Sequence, residues 1–153
     1  MNRFTSDLHF NHLKILELSH RPFADLAAMH EAIVENWNRV VKLGDVTFVL
    51  GDMALGKIED LEPIIRRLNG HIVLIKGNHD KSPRRLLEAC PSLKIVVNNL
   101  HMTQYIGDKG YKVFMRHFPP SDPATWENKY GANVFLCGHV HEAWSRRGHV
   151  INV

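Results

Sequence analysis

Short polar stretches follow the apolar segments of this sequence, and they contain side chains that can bind metal ions or move protons. The stretch 77–80 reads Gly-Asn-His-Asp and follows the apolar residues 72–75 closely. Comparable endings occur as "SDLH" at 6–9, "LGD" at 50–52, "MRH" at 115–117 and "CGHVH" at 137–141. Because ligands of open α/β sheets bind at the ends of strands, we expect these stretches to converge on one site.

The side chains at these endings form a mixed set of oxygen and nitrogen donors. They are Asp7, His9, Asp52, Asn78, His79, His117, His139 and His141. Such donors suit Mn²⁺, Fe or Zn²⁺ better than Ca²⁺, which prefers oxygen alone, or a structural zinc ion, which prefers thiolates. Without His79, the set is large enough for two ions if one carboxylate bridges them. Two ions roughly 3.5–4 Å apart can hold a phosphoryl group and lower the pKa of a shared water.

Spacing narrows the choice of ligands. Asp7 and His9 are two positions apart, as are His139 and His141. On an extended chain such neighbours point to the same side, so we expect each pair to present both side chains together.

Two Gly-Asp pairs near residue 50 offer alternative candidates for a ligand. Asp45 precedes the apolar run and is expected in a turn, whereas Asp52 follows it at the ligand end.

The elements that position these residues are predicted from hydrophobic periodicity. We predict strands at 3–6, 45–50, 71–75, 93–97, 101–106, 111–116 and 132–137, and helices at 11–19, 21–41, 58–68 and 84–90. A Gly-containing turn at 107–110 joins two of the strands. A stiff loop is predicted from Pro119, Pro120, Pro123 and Trp126. Strands and helices alternate early and strands dominate later, which predicts an α/β or α+β fold.

Composition limits the class of protein. The 153 residues predict a single domain over 1–153, and 44% apolar with 23% charged residues is typical of a soluble chain. No run reaches the roughly 20 apolar residues of a membrane span, and residues 1–10 lack a signal pattern, so we expect a cytoplasmic protein. Cys90 and Cys137 are too far apart for a zinc ribbon and are expected as buried thiols. The net charge of +3 indicates a basic surface without a nucleic-acid motif.

The motifs resemble those of a known family. D-x-H at 7–9, G-D at 51–52, G-N-H-D at 77–80, a single histidine at 117 and G-H-x-H at 138–141 occur in the order of the calcineurin-like metallophosphoesterases. The opening "FTSDLHFNH" and the later "RPF" resemble the small bacterial and phage members that lack a cap domain. The resemblance implies a four-layer αββα sandwich with a dimetal site at the strand ends.

The resemblance also implies roles for individual residues. The first metal would be held by Asp7, His9 and His141, and the second by Asn78, His117 and His139, with Asp52 as the bridge. His79 would donate a proton to the leaving oxygen or stabilise the transition state, a role that suits an imidazole pKa of about 6.5. The nucleophile would be a metal-bridging hydroxide. Mn²⁺ is the expected metal, and Fe, Zn²⁺, Ni²⁺ and Co²⁺ are alternatives.

Several nearby residues have more than one interpretation. His12, Arg21 and Arg116 could line a phosphate pocket, and a structural or solvated role is an equal alternative for each. Asp80 could orient the preceding histidine or cap the helix that follows it. Gly77 is expected to let the backbone turn after the strand.

These observations predict a metal-dependent phosphoesterase, in which a phosphodiester is favoured over a monoester because no cap segment encloses a small substrate. Monoesterase and nuclease activities remain open, with a nucleotide or nucleic acid as the substrate. The alternative is a non-catalytic protein-interaction scaffold on the same fold. A scaffold typically loses ligands, whereas every motif position is filled here. The sequence makes no prediction about the oligomeric state.

Overall fold

The computed structural model describes residues 1–80, 83–122, 126 and 131–153, so Pro123 of the predicted loop lies outside the described residues. The strands are β1 (Asn2–Thr5), β2 (Val46–Val49), β3 (His71–Ile75), β4 (Leu93–Val97), β5 (Asn99–Ile106), β6 (Lys109–Arg116), β7 (Val134–Cys137), β8 (Arg146–Arg147) and β9 (Val150–Asn152). The helices are α1 (Ile15–Leu18), α2 (Leu26–Val40), α3 (Ile58–Ile65) and α4 (Pro83–Ala89), with a 3₁₀ turn at His141–Ala143.

The strands form two sheets. The first is fully parallel with the order β1-β2-β3-β4, and the second has the order β5-β6-β7-β9-β8. In the second sheet β6, β7 and β9 are parallel to one another, while β5 and β8 are antiparallel to their neighbours. The carboxyl ends of the parallel strands in each sheet therefore lie at a common edge, which is where the polar motifs begin.

Alternating side chains of the first sheet bury both of its faces. Val49 and Leu74 point to a cluster shared with the helices, which includes Trp37 of α2. Phe48 and Ile75 point instead to a second cluster that joins the two sheets. This two-sided burial is the reason that β2 and β3 read as continuous apolar runs. The predicted mixed α/β fold with two packed sheets is confirmed.

The outer face of the second sheet has its own apolar cover. Phe114 and Phe135 pack there against Trp126, whose ring centroid lies 4.9 Å from that of Phe135. Cys137 lies in the same cluster, and both cysteines are buried and free, as predicted. None of the helices in the described part of the chain could span a membrane.

Some element boundaries differ from the predicted ones. The helix predicted from residue 21 begins at Leu26, because the Asp25 carboxylate caps it by accepting the Ala28 amide at 2.8 Å. The helix predicted over 58–68 ends at Ile65, and residues 66–68 continue only as a turn. The hairpin turn is shorter than 107–110, since the register pairs residue 106 with residue 109.

Candidate metal centre

The loops after five parallel strands bring the predicted site residues together. Asp7 follows β1, Asp52 follows β2 and Asn78 follows β3, while His117 and His139 follow β6 and β7. Backbone hydrogen bonds join the first two loops, since the amide at position 7 donates to the carbonyl at 51 at 3.0 Å and the amide at 9 donates to the carbonyl at 52 at 2.9 Å. The first two polar stretches are therefore fixed relative to each other by main-chain bonds.

The first group of possible ligands is Asp7, His9 and His141. Asp7 Oδ1 lies 3.7 Å from the Nε2 atoms of both histidines, and those two nitrogens are 3.3 Å apart. Asp7 Oδ1 is buried and has no hydrogen-bond partner among the described residues. A buried carboxylate oxygen without a donor, placed between two imidazole nitrogens, fits a divalent cation.

The second group is centred on Asp52, whose Oδ2 lies 3.4 Å from His117 Nε2. His117 Nε2 is also 3.1 Å from Asn78 Oδ1, and His139 belongs to the same group. Asp52 Oδ2 lies 3.8 Å from His9 Nε2 of the first group. Asp52 is therefore the carboxylate that faces both groups, as a bridging ligand must.

Hydrogen bonds at the far nitrogens leave the histidine Nε2 atoms available. His117 Nδ1–H donates to the Leu50 carbonyl at 2.7 Å, and because a carbonyl only accepts, the proton must be on Nδ1. His141 Nδ1 lies 3.0 Å from the Ser19 hydroxyl oxygen. With Nδ1–H as the donor, His117 keeps on Nε2 the lone pair that a metal requires, and the Ser19 hydroxyl can accept the corresponding proton from His141.

The environment holds both carboxylates in their ionised form. Burial raises the pKa of Asp52, but the contact with His117, the hydrogen bond from the His79 amide and nearby imidazole charge outweigh it and bring the pKa to about 2. Burial opposes the shift at Asp7 as well, yet the contact with His9 leads the interactions that leave its pKa below the ordinary value. Both groups are therefore anionic at neutral pH, which suits them to bind cations.

The histidines differ in their electrostatic environment. Burial is the main cause that lowers the pKa of His12, His139 and His141, and neighbouring imidazoles add to it, while at His141 the Asp7 carboxylate opposes it. Burial also disfavours the charged form of His117, but the Asp52 carboxylate outweighs it and raises the pKa. Most of these rings are therefore neutral near pH 7 and can act as ligands through nitrogen lone pairs.

Asp80 supports the loop that carries Asp52. Its Oδ2 accepts the amides of Asp52 at 2.9 Å and Gly77 at 2.8 Å, and its Oδ1 accepts those of Met53 at 3.0 Å and Ala54 at 3.4 Å. Burial raises the pKa of this carboxyl, against the lowering effect of the amides. Asp80 therefore holds the loop of Asp52 through backbone amides. The two roles considered from the sequence are to orient His79 and to cap the helix that follows.

Two motif glycines make room for carboxylates from other motifs. A Cβ atom on Gly77 would overlap the Asp52 carboxylate and amide, and one on Gly138 would meet the Ser6 hydroxyl and, at 2.6 Å, Asp7 Oδ2. The chain bends at residues 78 and 79, just after Gly77, but Gly77 itself has no positive φ. It is needed because the β2 and β3 loops approach each other closely.

The backbone at the ligands is not extended. Five of the predicted ligands have φ between 47° and 71°, and they are Asp7, His9, Asp52, His139 and His141. The expectation that each period-two pair lies on an extended chain is therefore wrong, although the side chains of each pair still reach the site. Left-handed backbone at residues other than glycine costs of order 1–3 kcal/mol each, and such residues cluster at functional sites.

A depression of about 290 Å³ lies beside the two ligand groups. His79 and His12 line it, and His79 Nε2 lies 3.9 Å from Asp52 Oδ2. Arg21 lies behind the site, where its guanidinium donates to the carbonyls of residues 7 and 8. Arg116 is exposed at the end of β6. Substrate contact by His12, Arg21 and Arg116 stays a prediction.

Four further residues line the depression that sequence reasoning did not assign to the site. They are Ile15, Leu18, Ser19 and Glu142. The apolar spacing of Ile15 and Leu18 predicted a short helix, but no signal placed that helix beside the ligands. Ser19 and Glu142 carry no pattern that would separate them from ordinary surface residues.

Comparison with known proteins agrees with this geometry. The family model described as calcineurin-like phosphoesterase matches residues 3–143. The chain therefore belongs to the calcineurin-like phosphoesterases.

Similar sequences come from an archaeon and from phages. An uncharacterized protein of Methanocaldococcus jannaschii, MJ1445, is 42% identical over 78 residues, which cover 50% of this chain and 44% of that protein. The chain thus aligns with less than half the length of this relative. The Gene 66 protein of Mycobacterium phage L5 is 27% identical over 169 aligned positions, covering 96% of this chain and 80% of the phage protein.

Solved structures share the fold over nearly the whole chain. AQ665 of Aquifex aeolicus, described as a protein of unknown function, has a TM-score of 0.73 and 26% identity and covers 99% of this chain and 88% of its own. Vps29 of Entamoeba histolytica, solved as a single mutant, has a TM-score of 0.53 and 16% identity over 99% of this chain and 72% of its own. The second likeness concerns the fold alone.

Proposed function

We propose that this protein is a metal-dependent phosphoesterase that hydrolyses phosphate esters, with phosphodiesters favoured over monoesters. The observation that carries the proposal is the position of Asp52, whose Oδ2 lies 3.8 Å from His9 Nε2 on one side and 3.4 Å from His117 Nε2 on the other. One carboxylate facing two groups of ligands is the arrangement that a two-metal phosphoesterase needs. Membership of the calcineurin-like phosphoesterases supports the same reaction class.

Two sets of residues would hold the ions that activate the phosphate ester and water. Divalent ions bound between the two groups would supply the positive charge that polarises a phosphoryl group and makes water more acidic. Mn²⁺ is our proposed ion, because the donor set mixes carboxylate, amide and imidazole. Asp7, His9 and His141 would hold one ion, Asn78, His117 and His139 the other, with Asp52 shared between them.

His79 is our candidate for the proton donor to the leaving oxygen. Its side chain is 33% exposed at the depression, and its amide donates to Asp52 Oδ1 at 2.8 Å. The backbone of His79 is therefore tied to the shared carboxylate, while its ring is free to face a bound ester. An imidazole that lines the depression beside the ligand groups is placed to act as a general acid toward the leaving oxygen.

The charge around the depression supports the preference for diesters. Among its described lining residues there is no lysine or arginine, and Glu142 contributes a carboxylate. The nearby guanidinium of Arg21 already donates to two backbone carbonyls. The bound ions would attract either class of ester, but the rest of the described wall offers no lysine or arginine to pair with the second negative charge of a monoester.

The proposal is tested by comparing bis-p-nitrophenyl phosphate with p-nitrophenyl phosphate in the presence of Mn²⁺. We expect the larger kcat/KM for the diester, and a loss of about 100-fold or more in Asp52→Asn, equivalent to about 3 kcal/mol of transition-state stabilisation. Asp108→Asn, in the exposed hairpin turn, is the matched control and should keep full activity. A short oligonucleotide in the same assay tests nuclease activity.

Two outcomes would contradict the proposal. If wild-type protein hydrolyses none of these substrates with Mn²⁺, the phosphoesterase assignment fails and the scaffold alternative gains support. If the monoester is the better substrate, the diester preference fails while the reaction class stands.

A further inference from the structure

The segment of residues 12–21, called here the 12–21 segment, contacts the first ligand group from outside. His12 Nδ1 lies 3.0 Å from His9 Nδ1, and the Ser19 hydroxyl oxygen lies 3.0 Å from His141 Nδ1. Both contacts are made to the nitrogen that faces away from the other ligands. A partner at Nδ1 fixes the ring orientation and leaves Nε2 free for a metal.

The third contact of the segment supports the third ligand of the group. Arg21 Nη2 donates to the Asp7 carbonyl at 2.6 Å, and Nη1 donates to the Leu8 carbonyl at 2.9 Å. These carbonyls flank a stretch of backbone in which Asp7 has φ 54° and His9 has φ 54°. The guanidinium therefore stabilises a conformation that these residues would otherwise rarely adopt.

The second ligand group is supported by different parts of the chain. His117 is fully buried, and its Nδ1–H donates to the Leu50 carbonyl. The Asp52 carboxylate accepts the His79 amide, and the Asp52 amide donates to Asp80. These partners lie in the β2 and β3 loops, so none of these bonds depends on the 12–21 segment.

The segment has little apolar anchoring of its own. Of its ten residues, all described by the structure, only Ile15 is buried, and Leu13 and Leu18 are 63% and 68% exposed. Its helix α1 has four residues, too few to be stable alone. The polar contacts to the ligand group are therefore a large part of what holds the segment in place, and ordering of the segment and of the ligands is coupled.

We propose that the 12–21 segment sets the affinity of the first metal group selectively, with Ser19 and Arg21 as positioning residues that do not touch the metal. The inference rests on the proposed metal centre. It makes the two metal positions unequal, since the first depends in part on a weakly anchored surface segment, in addition to the main-chain bonds that join residues 7 and 9 to the β2 loop. Occupancy of the first position then varies with the state of the segment.

The test is a titration of chelator-treated protein with Mn²⁺ by isothermal calorimetry. In Ser19→Ala we expect one of two binding events to weaken by about 10–100-fold, as for other groups that orient a ligand, and the other to stay within about twofold. Ser19→Thr keeps the hydroxyl and should restore the affinity. Glu17→Gln, an exposed change in the same segment, is the control and should bind as wild type does.

A second measurement needs no variant. Amide hydrogen exchange of wild-type protein should show slower exchange across residues 12–21 when Mn²⁺ is added. Unchanged exchange there, or a Ser19→Ala protein that binds both ions normally or loses both equally, would overturn the inference. Wild-type protein that binds no Mn²⁺ would instead contradict the proposed function itself.

Discussion

Replacement of Asp80 by asparagine should destabilise the protein through the loop that carries Asp52. The carboxylate of Asp80 is 5% exposed and accepts four backbone amides. An asparagine side chain keeps one acceptor oxygen. In the better of its two orientations that oxygen retains the amides of Asp52 and Gly77, while the NH₂ group faces the amides of residues 53 and 54.

The magnitude follows from the two lost contacts. The 3.0 Å bond from Met53 is short and the 3.4 Å bond from Ala54 is long, so losing both costs about 2–4 kcal/mol at about 1–3 kcal/mol per buried unpaired donor. Removing a buried charge offsets part of this, because burial raises the pKa of Asp80 and thus disfavours its ionised form. We expect a net loss of about 2–3 kcal/mol in the free energy of unfolding.

Urea denaturation of chelator-treated protein measures this loss without a contribution from metal binding. Asp108→Asn is the control, since a change in an exposed turn should stay within about 0.5 kcal/mol of wild type. Asp80→Asn should also lower kcat with Mn²⁺, because the Asp52 loop is no longer held. A variant with a free energy of unfolding within about 0.5 kcal/mol of wild type would refute the reasoning.

Three further predictions concern the centre itself. Gly77→Ala places a methyl group against the Asp52 carboxylate, so it should destabilise the protein by about 1–3 kcal/mol. It should also weaken Mn²⁺ binding measured by calorimetry, and normal binding would contradict the close approach of the two loops. His79→Ala should keep both ions in metal analysis and lose at least about 100-fold in kcat. Asn78→Ala should instead weaken the binding of one ion. Loss of metal in the His79 variant would contradict this division of roles. In metal-free protein the pKa of Asp52 is lowered from 3.8 to about 2, so its stabilisation is complete above 3.8 and is lost as the pH falls toward 2. As the pH falls through that window, the free energy of unfolding should therefore decrease by about 2 kcal/mol less in Asp52→Asn than in wild type. Acid unfolding followed by circular dichroism measures this difference, and identical profiles would refute the lowered pKa.

The convergence of the motifs could be predicted because it depends on strand direction. The sequence predicts β2 and β3 from apolar runs and β1 from the short stretch 3–6, and parallel neighbours must end at the same edge. Asp7, Asp52 and Asn78 therefore had to lie near one another once the strands paired. The choice of Asp52 over Asp45 follows the same logic, and Asp45 instead closes a turn by accepting the Lys42 amide at 3.1 Å.

The contacts that support the ligands could not be predicted, because they depend on loop conformation. Ser19 and His141 are 122 positions apart and meet only through irregular backbone. The positive φ values at Asp7 and His9 have only a weak sequence signal, since aspartate and histidine adopt such values more often than most residues but far less often than glycine. Period-two spacing therefore selected side chains that lie in the candidate metal centre, although the backbone that presents them is not extended.

The most direct test of the two-metal site is anomalous diffraction from crystals grown with Mn²⁺. We predict two peaks per chain, one among Asp7, His9 and His141 and one among Asn78, His117 and His139, with Asp52 in contact with both. His9, His12 and His79 also lie close enough together to hold an ion. A single peak among those three histidines, with none beside Asp52, would contradict the proposed centre.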